Sequence, residues 1–264
     1  MKTRVKSALV MIAAALLCVT LSSYTRILLI CAVGCACAYE YSVNVERLEA
    51  RCTLWVMISY LVAETALVLF KAPLYFSAVL FIFCIYLSLF SGVLHAKVGG
   101  RGALFTLAGL SYPCVLFSVV MLISVTERWI PAFFIGTVST AICDTFALLG
   151  GMKFGKHKLA PLVSPNKTIE GSVCGALSSI AAGIVLYFVL KFFYPISLPV
   201  CVITSFAASC MGQIGDLAES LLKRWIGVKD FSNLIPGHGG FMDRVDSMMF
   251  AIPTVYIFLL ILGA

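Results

Sequence analysis

Residues 73–95 read PLYFSAVLFIFCIYLSLFSGVLH, without one Asp, Glu, Lys or Arg. A helix needs about 20 apolar residues in succession to cross the hydrocarbon core of a bilayer. A helix greasy on every face suits no water-facing surface, so this stretch reads as a membrane span. The rest of the chain has the same character. Of 264 residues, 61% are hydrophobic and 12% charged, and the mean hydropathy is +1.05. Soluble domains carry about 25% charged residues.

Working outward gives nine such runs, at 6–23, 27–41, 53–70, 73–95, 103–125, 129–149, 171–193, 198–222 and 242–262. They predict an all-α fold, a polytopic integral membrane helical bundle of about nine transmembrane helices. The first run also has the basic start and apolar centre of a signal peptide, but no clear small-x-small cleavage site follows it. No linker, low-complexity tract or internal repeat is visible. The chain therefore reads as one integral domain over 1–264, with N-terminal spans in 1–130 and the polar motifs among the spans of 131–264.

Most of the eleven cysteines lie inside apolar runs and none forms a CxxC pair. Buried free cysteine behaves as a small hydrophobe, so neither a disulfide framework nor a zinc site is expected. The net charge of +7 is scattered over short loops, which argues against a nucleic-acid partner. With the N-terminus in the cytoplasm, fifteen of the nineteen Lys and Arg residues fall inside, leaving only Arg26, Lys71, Arg128 and Lys191 outside. The positive-inside rule selects that orientation. It puts the two long polar loops, 150–170 and 223–240, on one cytoplasmic face.

Acids at membrane depth are costly, and by default they mark function. Asp144 sits near the inner end of the sixth run, on one helical face with Thr137 and Thr140. It reads either as part of a site or as an acid that ties helices through a neighbouring Lys or hydroxyl. In the eighth run Gln213, Asp216, Ser220 and Lys223 form a polar stripe, flanked by Glu219 and Arg224. Snorkelling accounts for the cations but not for Gln213 or Asp216. The loop 153–171, KFGKHKLAPLVSPNKTIEG, places four lysines and a Ser-Pro-Asn-Lys-Thr turn at the start of a helix. It reads as a phosphate-binding surface or as a plain basic loop, and it contains no P-loop motif. Beyond it Gly171, Gly175, Ser178, Ser179, Ala182 and Gly183 suit close helix packing.

The last polar island is 229–250, KDFSNLIPGHGGFMDRVDSMMF. Asp243 and Asp246 are three apart and project together from one helix. With Asp216 they offer the oxygen ligands of a hard divalent cation such as Mg²⁺. The glycines allow backbone to approach a phosphate closely. His238 reads equally as a turn histidine.

The run 220–246, SLLKRWIGVKDFSNLIPGHGGFMDRVD, resembles the signature of the phosphatidate cytidylyltransferases, or CDP-diacylglycerol synthases. Twelve positions match at the family's intervals: Ser220, Lys223, Arg224, Lys229, Asp230, Pro236, His238, Gly239, Gly240, Asp243, Arg244 and Asp246. QIGDLAES (213–220) and SPNKTIEG (164–171) are similar to two further family segments, the second carrying Ser164, Lys167, Thr168 and Glu170. In DTFALLGG, Leu148 stands where the family has tyrosine, and Asn166 and Ile169 replace a common Lys and Trp. The first 130 residues share with the family only their apolar spans.

The resemblance implies transfer of the cytidylyl group of CTP to phosphatidic acid, giving CDP-diacylglycerol and pyrophosphate with Mg²⁺. A monovalent cation beside Mg²⁺ and a homodimer are left open. It also implies roles: Asp216, Asp243 and Asp246 for the metal, together with Asp144, and Lys167, Lys223, Arg224, Lys229 and Arg244 as an anion clamp. Ser164, Thr168, Gln213, Ser220, His238, Gly239 and Gly240 are expected at the substrates, with His238 a contact and not a base. The expected location is the inner (plasma) membrane, with the site facing the cytoplasm. An ion-coupled transporter would spread its acids through the bilayer and show paired repeats. A CDP-alcohol phosphotransferase would carry a D-G-x-x-A-R run, which is absent, and an inert helical scaffold has no use for PGHGGFMDRVD.

Overall fold

A computed structural model describes residues 22–232, 234 and 239–263. The expected first span lies outside these, apart from its last two positions, and so do Pro236 and His238. Helix α1 (Ser23–Val45) opens under Ser22, whose hydroxyl accepts from the Thr25 N–H in ordinary N-cap fashion. Then come α2 (Leu54–Leu69), α3 (Leu74–Leu94), α4 (Gly99–Gly109) and α5 (Val115–Ser124). The run expected as one helix over 103–125 is thus divided. Leu110–Cys114 forms a π-type turn around Pro113, and Tyr112 leaves helical angles at φ −141°, ψ 106°. Proline has no N–H to donate and its ring strikes the preceding turn, so the helical ladder opens there.

The remaining elements are α6 (Trp129–Phe154), β1 (Lys158–Ala160), β2 (Ser164–Thr168), α7 (Ile169–Leu190), α8 (Leu198–Ile226) and α9 (Met242–Ile261). Seven helical segments are long and apolar enough to cross a membrane, counting α4 to α5 as one. With 16 residues, α2 extends only about 24 Å against a hydrocarbon core of about 30 Å. The chain is a multi-pass helical membrane protein, and seven helices among the described residues reach spanning length. The Ser-Pro-Asn-Lys-Thr stretch differs from its expected turn: it is strand β2, antiparallel to β1 with Lys158 opposite Thr168 and Ala160 opposite Ser164. Pro165 fits there because an edge strand needs no donor on its free side.

The chain divides into two compact units. The first takes the residues up to Val125 together with Ile226–Arg244, and the second takes Thr126–Trp225 and Val245 onward. The first unit is centred on Ile27, Tyr41, Met57, Leu61, Leu110 and Met121, all fully buried. Several of its buried polar groups find partners internally, as an apolar surround favours. The Tyr41 hydroxyl donates to the Phe105 carbonyl at 2.9 Å, and the Thr53 N–H to Thr106 Oγ1 at 2.8 Å. Ser77 donates to the fully buried Glu64 at 2.8 Å.

In the second unit α6 and α7 pack closely over small residues, as the glycine and serine pattern of 171–183 led one to expect. A Cβ on Gly175 would lie 2.7 Å from the Cys143 carbonyl oxygen and 2.9 Å from its sulfur. Backbone cannot yield as a flexible side chain does, so Gly175→Leu is expected to destabilise the protein by about 1–3 kcal/mol. A thermal scan of the detergent-solubilised variant checks this, with a lowered midpoint as the expected outcome.

Candidate active site

The polar stripe of α8 is built into the second unit. Gln213 Nε2 donates to Cys143 Sγ on α6 at 3.3 Å, while Ser172 on α7 donates to Gln213 Oε1. Both ends of the amide are therefore held by neighbouring helices. One turn on, Asp216 pairs with Lys167 of β2 and accepts from Ser220 Oγ at 3.4 Å. The hairpin is fixed so that Lys167 arrives there. Thr168 caps α7 by accepting from the Gly171 N–H at 3.1 Å, and Glu170 accepts from the Lys156 and His157 N–H groups. Arg224 Nε donates to the Val163 carbonyl at 3.2 Å, which ties the end of α8 to the hairpin.

Asp144 of α6 lies within Coulombic range of Asp216, Lys167 and Asp246. Asp246 in turn feels Asp216 and Lys223 and comes within hydrogen-bonding reach of Glu219. Glu219 is fully buried and paired with Lys223 at 2.9 Å. Four carboxylates (Asp144, Asp216, Glu219, Asp246) thus share one neighbourhood with Lys167 and Lys223. Sequence spacing placed Glu219 only at the flank of the stripe; its burial is what the spacing could not reveal.

The first unit holds Lys229, Gly239, Gly240, Asp243 and Arg244. Lys229 and Arg244 are exposed. Asp243 Oδ2 accepts two backbone N–H groups, from Phe231 at 3.0 Å and Gly240 at 2.9 Å. Gly239 has φ +84°, a left-handed conformation that glycine adopts without cost. Gly240 passes so near Glu40 of α1 that a Cβ would lie 2.6 Å from its Oε2. Glu40, 1% exposed, accepts from the Phe241 and Met242 N–H groups at 3.0 Å each and from Ser232 Oγ at 2.5 Å. Beside it Asn44 Nδ2 donates to the Phe231 carbonyl at 2.6 Å. The sequence reading gave Glu40 no role. Its signal was an acid inside an apolar run, the same cue that singled out Asp144.

Among the described residues no three His, Cys, Asp or Glu side chains converge tightly enough to enclose a metal. The carboxylates around Asp216 nonetheless offer oxygen ligands, and they outnumber the lysines. That chemistry fits a hard cation, since Mg²⁺ usually takes only one or two carboxylates and completes its shell with water and substrate phosphate.

Within the second unit of this multi-pass membrane protein, apolar helices thus carry a group of carboxylates and lysines. A family model described as the cytidylyltransferase family matches residues 2–262, and the chain belongs to that family. It is 44% identical over 119 residues to a phosphatidate cytidylyltransferase of Staphylococcus haemolyticus and to one of Staphylococcus saprophyticus, and 42% identical over 119 residues to one of Staphylococcus aureus. Each alignment covers 45% of this chain and 45% of the relative, so the match spans less than half of the relatives' length.

Proposed function

We propose that the chain transfers the cytidylyl group of CTP to phosphatidate, yielding CDP-diacylglycerol and pyrophosphate. Membership of the cytidylyltransferase family carries this reading, and the name of the staphylococcal relatives, phosphatidate cytidylyltransferase, supplies the lipid acceptor. A phosphatidate oxygen bonds to the α-phosphorus of CTP, and the bond from that phosphorus to the bridging oxygen of the β-phosphate breaks. Pyrophosphate leaves with the electron pair. The attacking oxygen is already ionised, so no residue has to remove a proton, and His238 is free to act as a contact only.

The task left to the protein is to hold two polyanions together and steady the charge that develops, which is positioning plus electrostatics. Lys167, Lys223, Arg224, Lys229 and Arg244 are suited to phosphate oxygens. Asp216 and Asp246, with Asp144, are the residues to hold Mg²⁺, which when bound neutralises phosphate charge. Lys167 and Asp216 pair with each other. Phosphate at Lys167 and Mg²⁺ at Asp216 would each compensate the charge left when that pair opens. Incubating the purified protein in mixed micelles with phosphatidate, CTP and Mg²⁺ tests the reaction: pyrophosphate release must depend on both substrates.

The bacterial relatives favour the plasma membrane, and the lysine and arginine distribution favours a cytoplasmic site. In a chain freed of its native cysteines, a cysteine at Ser164 is expected to react with a membrane-impermeant maleimide only from the cytoplasmic side. One at Pro195 should react only from the other side. Labelling of both positions from the same side would refute the orientation.

A further inference from the structure

We infer that Glu40, in the last turns of helix α1, is a positioning residue for the Gly239–Arg244 turn, and that it sets the turnover of the reaction proposed above. The inference rests on that reading for its kinetic arm and on geometry alone for its structural arm. Helix α9 begins at Met242, and the first N–H groups of a helix have no intrahelical acceptor. Here two of the N–H groups at this helix start, those of Phe241 and Met242, go to the two oxygens of Glu40, a residue some two hundred positions away in sequence. A carboxylate in that place also opposes the positive end of the helix.

The turn is gripped from two sides. Asp243 holds it from within, through the Phe231 and Gly240 N–H groups. Glu40 holds it from α1, adding Ser232 Oγ at 2.5 Å, and Asn44 from the same helix fixes the Phe231 carbonyl. Gly240 lies against the Glu40 carboxylate with no room for a side chain. Arg244 follows directly, its N–H donating to the Phe241 carbonyl at 3.0 Å. The backbone that aims Arg244 is therefore referenced to a carboxylate outside the signature. An acid whose only task was to fill the core would cost desolvation for nothing, and this one has protein donors on both oxygens.

The test compares Glu40→Ala, Glu40→Gln and Glu40→Asp with wild type as full chains in lipid nanodiscs, normalised to folded protein. Hydrogen exchange over 239–244 reads the turn, and α7 peptides serve as the internal reference. In Glu40→Ala, exchange at 239–244 is expected to rise at least about tenfold with α7 unchanged, because two or three buried hydrogen bonds are lost. The same variant should lose about 10- to 100-fold in kcat with the KM for CTP within about threefold, the pattern of an interaction felt in the transition state. Glu40→Gln keeps one acceptor oxygen and should fall between the two. Glu40→Asp, one methylene short, should resemble Glu40→Ala.

Unchanged exchange at 239–244 in Glu40→Ala would overturn the inference, and so would a kcat within twofold of wild type. Should Glu40→Ala fail to insert, Glu40→Gln decides by the same two readings. If wild-type protein turned over no CTP, the proposed function would fail, and the exchange arm would still judge Glu40.

Discussion

Asp246→Asn is expected to lower turnover by about 10³-fold while the protein still inserts and folds. The substitution keeps size and shape and removes the charge that a hard cation requires. Losing one preorganised electrostatic contact in a partly dry site costs about 10²- to 10³-fold, and here a cation contact is weakened as well. The Mg²⁺ concentration for half-maximal rate should rise in the same variant. Asp243→Asn provides the contrast. Its Oδ2 is occupied by two backbone N–H groups, and an asparagine oxygen can still accept them. A loss of about tenfold is expected there, the worth of a charge-assisted bond over a neutral one. Normal activity in Asp246→Asn would remove Asp246 from the cation site, and an equally large loss in Asp243→Asn would place Asp243 there as well.

Lys223→Met is expected to be nearly as severe, for two separable reasons. It removes a cation suited to phosphate, worth about 3–4 kcal/mol. It also strands the fully buried Glu219, and breaking a buried ion pair from one side costs about 3–5 kcal/mol of stability. The double variant Lys223→Met/Glu219→Gln distinguishes these effects, because it removes the orphaned charge without restoring the cation. Its thermal midpoint should recover towards wild type while turnover stays about 10²-fold down. Recovery of both together would make Lys223 a counter-ion and nothing more.

The helices were legible because a bilayer leaves few choices. An apolar run must satisfy its own backbone, and the helix does so within one segment. Hence 129–149 was found as α6, 198–222 as α8 and 242–262 as α9, with ends displaced by a few residues. The hairpin at 158–168 was harder, since three- and five-residue strands carry too little pattern to show a period. The stripe Gln213, Asp216, Ser220, Lys223 was readable because helical spacing is fixed; its first three residues meet α6, α7 and β2 or one another, and Lys223 pairs with Glu219. What sat beyond reach was pairing across long sequence distance. Nothing local at Glu40 says that its partners are Ser232, Phe241 and Met242. For the same reason the spacing that set Asp243 beside Asp246 could not show that Asp243 Oδ2 also accepts the Phe231 and Gly240 N–H groups.

The reaction itself is tested most directly by following two labels through one experiment. Purified protein in phosphatidate-containing micelles with Mg²⁺ receives CTP labelled at the α-phosphorus or, in parallel, at the γ-phosphorus. The α-label is expected in the organic phase as a lipid that depends on phosphatidate, and the γ-label in water as pyrophosphate, in a ratio of about one to one. Folded protein that leaves the α-label wholly in the aqueous phase, or that passes the γ-label to lipid, would contradict cytidylyl transfer to phosphatidate.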